Sequence, residues 1–118
     1  MTDKRIVLTT CGNQDDAERI ARALLDRRLA ACVNILPGIR SLYRWKGKIE
    51  EDGELLLLIK TAAGAVDALK AAVADLHPYD VPELVVLPLE DGAASYLDWI
   101  GANVSRPGIP RSGEHTPR

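Results

Sequence analysis

Between Ala31 and Lys60 the chain changes side-chain character at every second residue, and this run constrains the fold more than any other stretch. Val33, Ile35, Ile39, Tyr43 and Trp45 occupy odd positions, whereas Arg40, Arg44 and Lys46 occupy even ones. Apolar–polar alternation with period two is the pattern of a strand with one covered face and one wet face. Pro37-Gly38 interrupts it, and such a step inside a strand predicts a bulge or kink. Lys46-Gly47 predicts a tight turn, with glycine free to take a positive φ. The chain then runs back through Lys48-Ile49-Glu50-Glu51-Asp52 into Leu55-Leu56-Leu57-Leu58-Ile59. The whole run reads as one hairpin. With Lys46-Gly47 at its tip, Trp45 pairs with Lys48 and Tyr43 with Glu50. Each arm has about 14 residues, or roughly 45 Å at about 3.3 Å per residue, against about 5–6 residues in a common strand. A ribbon that long overhangs its own domain. Leu42, Tyr43, Trp45 and Ile49 near its far end need cover.

The flanking segments supply the remaining elements. Ile6-Val7-Leu8-Thr9-Thr10 is a β-branched run and reads as a first strand. Gly12 breaks it, and Asn13 can cap a helix whose first turn carries Asp15 and Asp16. Ala17, Ile20, Ala21, Leu24 and Leu25 follow at helical spacing, so this helix extends to about Arg28. A second helix spans about Gly64 to Leu76, with Val66, Leu69, Val73 and Leu76 on one face, and His77-Pro78 stops it. Leu84-Val85-Val86-Leu87 reads as a fourth strand ended by Pro88, and residues 95–100 as a short third helix. The order β-α-β-β-α-β is the ferredoxin-like pattern, an α+β sheet of four antiparallel strands with two helices on one face. Residues 1–102 form that domain. Residues 103–118, rich in Pro, Gly and Arg, read as a flexible tail.

One domain is all that 118 residues allow. Yet Leu55 to Ile59, Val85 to Leu87 and Ile6 to Leu8 are apolar at every position rather than at alternate ones. Strands of this kind are buried on both faces. Two helices cover only one, so the other face calls for further copies of the chain, as a dimer or a closed ring.

Composition narrows the function. Net charge is −2, aromatics are 4% of the chain and there is no Phe, which argues against both the basic footprint and the stacking platform of a nucleic-acid binder. Met1-Thr2-Asp3-Lys4-Arg5 and the three apolar residues that follow read as neither a secretory nor a membrane-spanning segment. Cys11 and Cys32 lie outside any CxxC or zinc spacing and read as free thiols of a cytoplasmic protein. No nucleophile elbow or glycine-rich phosphate loop is present.

Several longer motifs occur in order: residues 32–39, Ser41-Leu42-Tyr43-Arg44-Trp45-Lys46-Gly47-Lys48-Ile49-Glu50, Ile59-Lys60-Thr61, His77-Pro78-Tyr79-Asp80-Val81-Pro82-Glu83-Leu84 and Tyr96-Leu97-Asp98-Trp99. Together they resemble the CutA family of divalent-cation tolerance proteins from about Lys4 to Gly101. The resemblance implies a ferredoxin-like homotrimer assembled like the PII signalling proteins. It further implies a non-enzymatic, cytoplasmic role in metal tolerance, with no required cofactor and with copper or another divalent cation as ligand.

That resemblance also implies site residues. The family's copper site uses a first-strand cysteine and histidines at the end of the second helix. His77 matches the second histidine of the family's His-His-Pro-Tyr pattern, whereas Leu76 stands at the first. Thr9 stands at the cysteine position, and Cys11, two residues on and on the same strand face, is the candidate replacement. Cys32 is the third candidate, from a small pool of possible copper donors that also holds Met1 and His115. His77 as a helix-terminal histidine bonded to nearby carbonyls is the alternative, as is Cys32 as a small buried apolar residue. Tyr43, Trp45, Lys60, Tyr79 and Glu83 are distinctive motif positions that could converge in a cleft between subunits. Such a cleft suits a second reading, a PII-like module binding a small anionic metabolite. Lys60 and Glu83 could instead pair and set the register of assembly. Glu50, Glu51 and Asp52, with Glu54 nearby, read as a solvated strand edge.

Overall fold

A computed structural model describes residues 1–105, and the expected tail beyond Ser105 lies outside the described residues. The elements follow the expected order: β1 (Lys4–Cys11), α1 (Gln14–Asp26), β2 (Cys32–Trp45), β3 (Lys48–Ala62), α2 (Val66–Leu76), β4 (Val85–Pro88) and α3 (Ala94–Ala102). A single 3₁₀ turn, Ala63–Ala65, precedes α2. Among the described residues no helix is long and apolar enough to cross a membrane.

Local chemistry sets the boundaries. The Asn13 side chain accepts the Asp16 N–H at 2.8 Å and starts α1. α1 ends two residues before the expected Arg28, which takes φ 55° and turns the chain out of the helix. Pro88 is the last residue of β4 rather than its stop. It lies opposite Arg5 on an edge strand, where a missing N–H is tolerated. At the hairpin tip Lys46 and Gly47 both have positive φ, 50° and 79°, as a two-residue primed turn requires. Trp45 pairs with Lys48 and Tyr43 with Glu50, and the register slips between Leu36 and Ile39, where Gly38 takes φ 78°. The hairpin carries the molecule to a long axis of 48 Å.

The four antiparallel strands lie in the order β2-β3-β1-β4. Odd positions of β1 and β3 point at the helices. Val7, Leu57 and Ile59 are fully buried there against Ile20 and Leu24 of α1 and Leu69 and Val73 of α2. Even positions point the other way. Leu8 lies between Leu58 and Val85, and Ile6 between Lys60 and Leu87. Among the described residues this second face is apolar yet partly open: Val85 is 45% and Leu87 47% exposed. α3 lies near the Ala62 end of the sheet, where Ile100 packs with Ala65 and Val104. The chain stays packed past residue 102, since Val104 is buried and the Ser105 N–H bonds Arg28 O at 2.9 Å.

One core position is imperfect. Thr9 is fully buried, and its hydroxyl meets no hydrogen-bond partner among the described residues. Valine has nearly the same shape without the desolvated hydroxyl. Thr9→Val is therefore expected to stabilise the fold by about 1 kcal/mol. Urea denaturation at equilibrium checks this, and a loss of similar size would show that the hydroxyl has a partner.

Candidate functional site

β1 ends at Cys11 and α2 ends at Leu76, and the chain's two halves meet there through His77. The ring is 7% exposed. Its Nδ1 accepts the Tyr79 N–H at 3.2 Å, which assigns the ring proton to Nε2. Nε2 donates to the Thr10 carbonyl at 2.7 Å. A neutral His77 thus ties the end of β1 to the loop after α2, as a helix-terminal histidine can. Cys11 Sγ lies 4.0 Å from Nε2. Burial pushes the Cys11 thiol up to about 11, with the nearby charges of Asp16 and Glu54 adding to the shift and Arg19 opposing it.

Cys32 is elsewhere. It sits opposite Lys60 on β3 whereas Cys11 sits opposite Leu55, five positions and roughly 17 Å along the strand. Both cysteines are free. Among the described residues no group of three or more His, Cys, Asp or Glu is placed to hold a metal ion.

The loop after α2 folds toward the hairpin and leaves a cleft of about 840 Å³. Tyr43, Trp45, Tyr79 and Glu83 all line it. Lys60 does not join them. It lies toward the other end of β3, bonded to the Asn34 side chain. Asp52, Glu54, Asp80 and Arg40 also line the cleft. Arg40 is turned onto Glu51, with contacts of 2.9 and 3.3 Å.

Glu54 corrects the expectation of a solvated acidic edge, because it is only 8% exposed. The Tyr79 hydroxyl donates to its Oε2 at 3.1 Å. Burial, then the charge of Glu54 and the bond to it, holds the Tyr79 phenol up at about 12. At the outer rim the Tyr43 hydroxyl donates to Asp52, and this bond holds the Tyr43 phenol up at about 12 as well. Tyr79 fits because residue 12 is glycine, where a Cβ would stand 2.8 Å from the phenol oxygen. The one-residue slip after Leu36 places Ile39 opposite Glu54, and that slip is what a count of alternating positions misses.

Comparison with known proteins agrees with this architecture. The model of the family described as CutA1 divalent ion tolerance protein matches residues 5–103. A divalent-cation tolerance protein CutA of Thermus thermophilus is 52% identical over 100 residues, covering 85% of this chain and 97% of its own length. The human protein CutA is 53% identical over 91 residues, and this chain spans about half of it, 51%. Among solved structures, CutA from Xylella fastidiosa superimposes with a TM-score of 0.86 at 43% identity, covering 88% of this chain and all of its own. With four antiparallel strands and three helices arranged as in those structures, the chain belongs to the CutA1 divalent ion tolerance family.

Proposed function

We propose that the chain is a non-enzymatic homotrimer of ferredoxin-like subunits that serves divalent-metal response in the cytoplasm and binds copper at Cys11 and His77. The observation that supports this most directly is the meeting of these two side chains, 66 positions apart in sequence, with 4.0 Å between sulfur and nitrogen. A metal takes Nε2 there only once its proton moves to Nδ1 and the bonds to Thr10 and Tyr79 are given up. A thiolate and an imidazole are donors that copper favours, and two of them fall short of the four that a structural zinc site takes. The relative from Thermus thermophilus bears the name divalent-cation tolerance protein. The reading as a module for an anionic metabolite has less support, because Lys60 is remote from a cleft whose charged lining is four carboxylates and Arg40.

Binding has a proton cost that makes the proposal testable. The metal takes the thiolate, and the thiol is protonated at neutral pH because its pKa is about 11. Each unit of pH below that value reduces the thiolate fraction tenfold. Copper(I) affinity, measured by competition with a chromophoric chelator, is therefore expected to rise about tenfold per unit between neutral and mildly alkaline pH. Cys11→Ala should weaken it at least about tenfold, while Cys32→Ser should leave it unchanged. Equal affinity in the wild type and Cys11→Ala would remove the site.

A further inference from the structure

The cleft between the hairpin and the loop after α2 has a chemistry that the copper reading does not use. Tyr43, Trp45 and Tyr79, three of the chain's five Tyr and Trp residues, line it. They remain 40%, 44% and 39% exposed. Asp52, Glu54 and Glu83 lie among them. Glu54 is only 8% exposed, its Oε2 accepts the Tyr79 hydroxyl, and no ion pair reaches it among the described residues. A carboxylate set in the wall of a cleft, with no cation beside it, offers an entering cation a partner. Arg40 cannot serve while its guanidinium is engaged by Glu51.

We infer that this cleft binds a small organic ammonium ion, its charge against Glu54 and its alkyl part against the rings of Tyr43, Trp45 and Tyr79. The two phenols donate to carboxylates, so they fix Glu54 and Asp52 in place and present neutral rings. Aromatic faces attract weakly hydrated cations. A bare divalent ion would instead need several oxygens converging on one point, and no such group exists among the described residues. An anion would meet the carboxylates. The volume, about 840 Å³, lies within the usual range of small-molecule sites. The inference is independent of copper at Cys11.

Isothermal titration of the intact protein at constant ionic strength tests it. The probes are 1,4-diaminobutane, tetramethylammonium, magnesium chloride and glutarate. Saturable binding of both ammonium ions in the millimolar range or tighter is expected, with none for glutarate. Glu54→Gln should weaken binding about tenfold, and Trp45→Leu roughly fivefold. Trp45 stands near the exposed tip, so its variant keeps the fold even if Glu54→Gln does not, and circular dichroism checks both. Absence of saturable heat for either ammonium ion overturns the inference, whether the cleft is inert or filled by a neighbouring copy. So does an affinity unchanged in both variants. Magnesium binding as tightly as the diamine, with no effect of Trp45→Leu, would reduce the site to its carboxylates and overturns it too.

Discussion

Leu58→Asp is expected to yield a protein that scatters light as a 12.8 kDa monomer, where the wild type scatters as about three times that mass. Leu58 lies on the face of β3 away from the helices, in a row that runs from Asn34 through Leu58 and Leu8 to Val85. Helices cover Leu57 and Ile59, whereas among the described residues Leu8 and Leu58 are only partly covered and Val85 is 45% exposed. Burying a carboxylate there costs several kcal/mol per copy, and closed symmetry repeats the cost at every copy. Inside one subunit Leu58 is only partly buried, so the monomer should keep its helical circular dichroism. A variant that stays trimeric would show that the subunits meet elsewhere. A wild type that is already monomeric at micromolar concentration would remove the assembly altogether.

His77→Ala is expected to lower stability by about 2–3 kcal/mol, because one buried ring satisfies two backbone groups. Thr10 loses the donor to its carbonyl and Tyr79 loses the acceptor for its N–H. The second loss releases the loop that carries Tyr79 to Glu54. Hydrogen exchange at the Tyr79 amide should therefore accelerate more than exchange within α1. His77→Gln separates this bridging role from a metal role, since a carboxamide both donates and accepts. It should recover part of the stability while copper affinity stays low. Unchanged stability in His77→Ala would mean that the ring bridges nothing of consequence.

The hairpin could be read from the sequence almost residue by residue, because its determinants are local. Period-two alternation, a proline-glycine step and a Lys-Gly turn each act within a few positions, and together they set the pairing of Trp45 with Lys48 and Tyr43 with Glu50. The site was less legible. Tyr43, Trp45, Tyr79 and Glu83 do line one cleft, but Lys60 is remote, and the expected pairing already contained that distance. If Tyr43 lies opposite Glu50, then Lys60 is ten residues, roughly 33 Å, farther along the same strand. Glu54 was hidden for a different reason. Its burial depends on a one-residue slip in β2 and on a loop that returns from the other half of the chain, and neither is visible in its neighbours. The approach of Cys11 to His77 likewise depends on β1 and α2 ending at the same side of the molecule.

The two outer strands of the sheet bear on a hazard common to β proteins. An unpaired strand edge can recruit another edge, and repetition without closure builds fibrils. Here β2 and β4 are the edges. β2 is interrupted by Pro37 and the irregularity between Leu36 and Ile39, and β4 is four residues long and ends in Pro88. Proline withholds an N–H and a bulge twists the ladder, so neither edge offers a long, regular template. The chain can therefore carry an oily sheet face while its edges resist open-ended polymerisation.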